Sequence, residues 1–417
     1  MLFRSGQQNG FDLVLTNPPF GAKITQSSVL SKFDLGHKWG NKNNEFYQTK
    51  TVYANQNAEI LFIERCLQLL KEGGRMAIVL PNGNFENPSL DYLRYYIKQK
   101  AKVLAIVNLP QETFIPFGTG VKTSLLFLEK DSKNEEKHYP IFFGRITKLG
   151  YQGNKNGTPV YQKDKFGQII KDENKQPILD EDFSATIENY KAFLKGKKIE
   201  TENSFSIQFN ELNGRFDYDF YSPENRKLFS NLTNFKTIRL GDICEIVKTK
   251  SRKLKDPNLI VEYVELSDIN THSYEIINST TSQVHELPSR ASYEIEQGDI
   301  ITAIAGNSVG TRKHATALVT EDLAGSICTN GFRVLRNFKI DSYYLLYYLK
   351  SEMFLKQMFM YRTGAAIPNV SDTDLANIII HLPEQKTIDD ISNKMKKAFE
   401  LRQASKQQIE SIELEFA

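Results

Sequence analysis

The sequence predicts an α/β first half, an α+β second half and a long charged helix at its end, and three observations predict it. Over the first 130 residues, apolar strand-like runs alternate with helical periodicity. From about residue 209 the apolar segments become short and β-branched: "IRLGDICEIVK", "LIVEYVELSDI", "IEQGDIITAIAG" and "GFRVL". From residue 384 onward the chain is charged, with apolar residues three and four apart.

Taken in order, "FDLVLT" (11–16) reads as a buried strand, and Asn57 to Leu70 as a helix carrying Ile60, Leu61, Ile63 and Leu67 on one face. Lys71-Glu72-Gly73-Gly74 supplies its glycine stop. Then come "RMAIVLP" (75–81), a helix over Ser89 to Lys100, "KVLAIVNLP" (102–110) and "TSLLFLEK" (123–130). Continuous Val/Ile/Leu runs separated by helices imply a parallel sheet covered on both faces. Residues 139–208 turn to Lys, Asn, Gly, Gln and Asp and read as a polar connection with hairpins. A second domain spans 209–383, with a helix over Ser342 to Tyr361 and then the turn "RTGAAIPNVS".

Residues 384–417 form the closing helix, in which Ile388, Ile391, Met395 and Ala398 follow heptad spacing. Arg402 and Ser405 interrupt that seam before Ile409, Ile412 and Phe416 resume it. Such a helix either lies on its own domain or pairs, coiled-coil-like, with a helix of another chain; the polar middle favours the second.

Composition narrows the function classes. The chain has 417 residues, 40% apolar and 25% charged, with a formal net charge of +3. Nucleic-acid binding must therefore come from local basic patches rather than from a polycation. Cys66, Cys244 and Cys328 lie far apart without metal-ligand spacing, so neither a disulfide framework nor a metal site is expected, and a reducing cytoplasm fits. No apolar run approaches the roughly 18 residues of a membrane span, and the N-terminus has no signal-peptide layout.

The corner "TNPPFG" carries the chemistry. Asn17 follows a strand and so sits at its carboxyl end, where open α/β sheets bind ligands. Pro18 and Pro19 stiffen the loop and remove two N–H donors, leaving carbonyl oxygens to spare. The Asn17 side-chain oxygen and the Pro18 carbonyl could accept both hydrogens of an exocyclic amine, which would aim its lone pair at an electrophilic methyl group. Phe20 offers a flat face on which an extruded base can stack. The bland alternative is a proline turn after a strand.

"DLVLTNPPFG", "AEILFIERCLQLLKEGGRMAIVLPNGNF" and "VLAIVNLPQETFIPFGTGVKTSLLFLEK" together resemble the second half of the DNA-adenine methyltransferase subunit of type I restriction-modification systems. The resemblance covers residues 10 to 130. It implies a partial Rossmann-like class I methyltransferase sheet over 1–138, with Asn17, Pro18, Pro19 and Phe20 as the amine-binding and base-stacking motif. S-adenosylmethionine is the implied methyl donor. In that family a glycine motif and a ribose-holding acidic residue precede the Asn-Pro-Pro-Phe strand, whereas ten residues, "MLFRSGQQNG", precede it here. The expectation is a missing first half, donor binding weak or lost, and Phe11 to Thr16 left as an apolar sheet edge.

Residues from 209 onward resemble the specificity subunit of the same systems: "GRFDYDFYSPENRKLF" and "IRLGDICEIVKTKSRK" its opening, "EIEQGDIITAIAGNSVG" its central β motif, and "TGAAIPNVSDTDLANIIIHLPEQKTIDDI" its end. One target-recognition domain and one helix are present, where a complete subunit of that kind carries two of each. Basic residues cluster independently of the resemblance: Lys248, Lys250, Arg252, Lys253 and Lys255, then Arg312, Lys313 and His314. These can meet phosphates, and Asn307 and Arg312 can offer bidentate contacts to base edges. Gly364, Pro368 and Asn369 shape a turn.

The function expected is sequence-specific recognition of double-stranded DNA coupled to N6-adenine methylation, as a homodimer or with methyltransferase, specificity or restriction subunits, away from membranes. The competing classes are a non-catalytic DNA-binding or assembly protein and, less well supported by the second half, an RNA or protein-glutamine methyltransferase.

Overall fold

A computed structural model describes residues 10–42, 45–133, 136, 138–212, 214–232, 234–364 and 367–416. Two units divide the chain, Met1–Pro223 and Glu224–Ala417.

The first unit is built on a sheet of β1 (Phe11–Thr16), β2 (Leu70–Pro81), β3 (Ala101–Asn108), β4 (Thr123–Lys130), β5 (Pro140–Arg145) and β6 (Ser204–Gln208) in the order β1-β2-β4-β3-β5-β6. Helix α1 (Ala58–Leu69) joins β1 to β2 and α2 (Asp91–Lys100) joins β2 to β3. The sheet is mixed, not parallel as the apolar runs imply. β1 pairs parallel with β2 and β3 with β5, while β4 runs antiparallel between β2 and β3. The connectors decide direction: helical crossovers precede β2 and β3, but only a 3-10 segment, Gln111–Phe117, separates β3 from β4, and a short return makes an antiparallel neighbour.

One face buries Met76, Ile78, Leu80, Val103, Leu126, Leu128 and Phe143 under α1 and α2. On the other, α3 (Phe183–Leu194) lays Phe183, Tyr190 and Phe193 over Ala105, Val107, Leu125, Phe127 and Phe142. That cover stops short of β1, which is not buried as expected. It is the edge strand, with Leu13 57% and Leu15 69% exposed on the face that α3 covers farther along. An apolar edge is what the family's strand order implies.

The segment read as a polar connection supplies β5, α3 and β6, and fully buries Phe142, Phe143 and Phe205. Its genuinely polar part is a small knob between Leu149 and Glu181, made of short turns and isolated β-bridges. The first unit also extends fifteen residues past the boundary placed at 209, through Pro223. Phe209 stacks on Tyr139 with centroids 4.8 Å apart, and Phe216, Tyr218 and Tyr221 are buried in the first core. Arg94, 1% exposed, locks this tail down: its guanidinium donates to the carbonyls of Gly214, Asn84 and Asn87 and pairs with Asp91.

The second unit holds two four-stranded sheets. The first comprises β7 (Glu245–Ile246), β14 (Phe332–Arg336), β11 (Ile300–Ala303) and β12 (Thr316–Leu318), in that order. The second comprises β9 (Thr280–Gln283), β8 (Ile260–Val264), β13 (Ile327–Thr329) and β10 (Ala291–Glu294). The helix expected over 342–361 is two: α4 (Ser342–Tyr348) and α5 (Glu352–Tyr361), the second started by the Ser351 hydroxyl accepting from the Phe354 N–H.

The closing helix α6 spans Gln385–Phe416. Its first half folds back onto its own unit: Ile388 is buried, and Ile391, Met395 and Phe399 pack against the core; just beyond the midpoint Arg402 donates to the Ser273 carbonyl at 2.7 Å. Its second half leaves Leu401, Ile409 and Ile412 at least half exposed. The reading that the helix lies on its own domain describes its first half. The Phe416 side chain lies outside the described residues.

Candidate functional site

β1 ends at Thr16, and the backbone turns through Asn17 and Pro18 at the carboxyl end of the parallel strands. Pro18 is buried and anchors the turn, whereas Asn17 and Pro19 are exposed. The exposure of Asn17 leaves its side-chain oxygen available. The chain then leaves through Gly21, at φ +71°, and is tied down by Ala58 N–H donating to the Ala22 carbonyl at 2.7 Å. Lys23–Ile24 pairs with Gln56–Asn57, fixing the loop to the start of α1.

Phe20 does not stand alone. Phe114 meets it edge-on at 5.6 Å and 78°, and Phe117, 78% exposed, lies 6.3 Å beyond Phe114. The 3-10 segment therefore sets two further aromatics beside the Asn-Pro-Pro-Phe turn. Sequence reasoning passed over them. Their signal was "TFIPFGTG", two phenylalanines around a proline between two strands of one sheet.

At the same end of the sheet the strand ends carry a polar rim. Asn108 donates to Ser124 Oγ at 3.2 Å and Ser124 Oγ to Asn82 Oδ1 at 2.9 Å, all three buried. These groups brace β2, β3 and β4 against one another. Cysteine chemistry has no place here: burial pushes the Cys66 thiol up to about 11 and those of Cys244 and Cys328 to about 12. No cluster of metal-ligating side chains occurs among the described residues. Among them, too, no helix is long and apolar enough to cross a membrane.

In the second unit the two basic segments share one end of a sheet. β7 and β11 both run antiparallel to β14 and leave it toward Phe332, so residues 248–255 and 304–313 emerge at the same end. Residues 362–364 and 367–369 meet the second of these segments: Gly306 N–H donates to the Pro368 carbonyl, Thr363 and Asn369 exchange two backbone bonds of 2.8 Å, and Gly364 adopts φ +93°. Lys248, Lys250, Arg252, Lys255, Asn307, Arg312 and Lys313 are exposed. Lys253 is committed elsewhere, to the Gly325 carbonyl at 2.6 Å and Glu294 at 2.9 Å. His314 is fully buried, its ring held between the Gly310 N–H at 3.1 Å and Thr302 Oγ1 at 2.9 Å. It pins the loop from inside.

The N-6 DNA methylase family model matches residues 3–223, more than half of the sequence. The chain belongs to this family. Residues 233–411 match the type I restriction modification DNA specificity domain, so the chain joins, in one polypeptide, a methylase-family domain and a specificity domain of the kinds found in type I restriction-modification systems. It is 29% identical over 126 residues to the methylase subunit of the type I restriction enzyme EcoEI of Escherichia coli, covering 30% of this chain and 22% of that protein. With the EcoKI methylase subunit of E. coli K12 it shares 28% over 130 residues, 30% of this chain and 21% of that one. The chain thus spans about a fifth of the length of these relatives. A crystal structure of an HsdS subunit from Thermoanaerobacter tengcongensis aligns at 28% identity and TM-score 0.34, covering 43% of this chain and 47% of that one.

Proposed function

We propose that this chain is the base-binding and target-recognition part of an adenine-N6 methylation activity in a type I restriction-modification system. The observation that carries the reading is the exposed Asn17 amide on its buried proline anchor, beside the aromatic row Phe20, Phe114 and Phe117. Asn17 and the Pro18 carbonyl accept the two amine hydrogens of an extruded adenine. Phe20 and Phe117 supply flat faces for its ring. The exposed residues of 248–255 and 307–313 meet DNA phosphates and base edges.

S-adenosylmethionine is the donor this reading implies. The described residues fit the amine side of the reaction and not the donor. β1 is the last strand of its sheet and its outer side is open, so nothing described encloses a donor beyond Asn17. Those contacts come, in this proposal, from a polypeptide segment that pairs along β1 and covers Leu13 and Leu15. The exposed half of α6 joins two copies, presenting two recognition domains to a symmetric split target.

The test is methyl transfer from labelled donor to DNA by this chain combined with the donor-binding half of a related methylase subunit. Asn17→Ala should lower transfer on the order of a hundredfold, as loss of a preorganised hydrogen-bonding group does, with duplex binding unchanged. Duplex binding without transfer by the wild-type combination would leave the second reading, a non-catalytic DNA-binding specificity protein, which the open edge of β1 favours.

A further inference from the structure

The knob between Leu149 and Glu181 has an internal repeat that the methylase reading leaves unused. Three turns follow one another, "NKNGTPV" (154–160), "DKFGQII" (164–170) and "DENKQPI" (172–178). In each, the first side chain accepts backbone N–H groups: Asn154 from Asn156 and Gly157, Asp164 from Phe166 and Gln168, Asp172 from Asn174 and Gln176, all within 2.9–3.0 Å. Each then passes through a left-handed residue, Gly157, Gly167 or Lys175, at φ +57°, +82° and +62°.

The three arms close on one another in two cyclic layers. In one, Gly150 N–H donates to Asp180 O, Asp180 to Val160 and Val160 back to Gly150, at 2.8–3.0 Å. In the other, Gln162, Ile178 and Ile170 do the same at 2.9–3.0 Å. The knob is thus a small three-armed body held by backbone bonds, with almost no core of its own.

Its first arm meets the 3-10 segment Gln111–Phe117 at three points. Tyr151 Oη donates to the Thr113 carbonyl at 2.7 Å. Gly153 lies so close to Glu112 that an added Cβ would sit 2.4 Å from its Cβ and Cγ. Gly157 faces the Pro116 ring, 3.3 Å from where its own Cβ would be. Between these contacts the segment carries Phe114, which meets Phe20, and Phe117 beyond it.

We infer that the knob is a brace for the aromatic wall of the base site, and that Tyr151 is a positioning residue for Phe114 and Phe117. This rests on the base-site reading above. Tyr151 touches no reacting atom. It fixes the carbonyl of Thr113, immediately before Phe114, and so the direction from which the wall meets Phe20.

Two measurements on the full chain test this, using wild type, Tyr151→Phe, Gly153→Ala and, as a control on an arm remote from the segment, Phe166→Ala. Hydrogen exchange reads the backbone: the Gly118 and Thr119 amides bond to the Ile115 and Phe114 carbonyls and report whether the segment is held. Loss of one net hydrogen bond predicts about fivefold faster exchange there in Tyr151→Phe, a similar or larger change in Gly153→Ala, and none in Phe166→Ala, at equal melting temperature. The second readout is the fluorescence of a short oligothymidylate carrying one 2-aminopurine, which changes when that base stacks on an aromatic wall. Its apparent affinity should weaken about fivefold in Tyr151→Phe and stay constant in Phe166→Ala. Unchanged exchange at Gly118 and Thr119 in both Tyr151→Phe and Gly153→Ala overturns the brace. Faster exchange with no 2-aminopurine response from wild type supports the brace and overturns the base-site reading instead.

Discussion

Acid should loosen the second unit through a single imidazole. His314 is fully buried, and burial, helped by the nearby Lys350 ammonium, pulls its pKa from 6.5 down to about 3. The geometry explains why the ring resists a proton: Nδ1 accepts from the Gly310 N–H, so a protonated Nδ1 would set donor against donor, while Nε2 is already paired with Thr302 Oγ1. Because the folded pKa lies below the unfolded one, the unfolded state binds the extra proton. The stability this confers is complete above pH 6.5 and is lost progressively as pH falls toward 3. At 1.36 kcal/mol per unit, moving from pH 7.5 to 5 costs about 2 kcal/mol. For a unit of 194 residues, Glu224–Ala417, that is a fall in Tm of about 4–8 °C. Calorimetry of the full chain across that range should show the transition of the second unit moving by this amount. His314→Gln, which keeps an acceptor and a donor without the titration, should start lower but move much less. A pH dependence equal in wild type and His314→Gln would refute the assignment of the effect to this ring.

Three further outcomes follow from geometry. Ile409→Asp with Ile412→Asp should convert a dimer to a monomer in light scattering while leaving the melting of the second unit unchanged, since neither side chain belongs to its core; Ile391→Asp should instead lower that melting temperature, because Ile391 packs on the core. Lys250→Ala and Arg312→Ala should each reduce the salt slope of duplex binding by about 1 if each meets one phosphate, whereas Lys253→Ala should act mainly on stability through its bonds to Gly325 and Glu294. Leu13→Lys with Leu15→Lys should improve solubility of the isolated chain and abolish complementation by a donor-binding half, measured as methyl transfer; undiminished transfer would mean that nothing docks along β1.

The elements of the first unit were legible wherever apolar periodicity was strong. The helix over 58–69 and the strand over 123–130 stand where the spacing of Ile60, Ile63 and Leu67 and the run "TSLLFLEK" place them. Strand direction was not legible, because an apolar run says that both faces are covered and nothing about which way the chain points; the 3-10 connector between Asn108 and Thr123 decides that. Likewise "YPIFFGR" is a core strand diluted by the polar residues around it, so composition averaged over 139–208 hid it. At the site, Asn17 to Phe20 could be read from local chemistry. Phe114 and Phe117 could not be joined to them, since a gap of more than ninety residues separates side chains that the sheet brings within a few ångströms. His314 shows the converse, a basic neighbour of Arg312 and Lys313 that turns inward because Thr302 and Gly310 need its nitrogens.

The antiparallel β4 also dictates when β2 and β3 can join in one sheet. Its two neighbours, β2 and β3, are made before it in the chain, yet they touch only through it. On a ribosome adding residues from the N-terminus, β1, β2 and α1 can assemble as one ribbon while β3, covered by α2, waits with no strand to pair with. Each presents an unpaired strand edge until Lys130 has emerged and β4 slides between them. The strand that closes the middle of the sheet is thus the gate on folding, and a pause in translation before residue 123 would hold two sticky half-sheets open together.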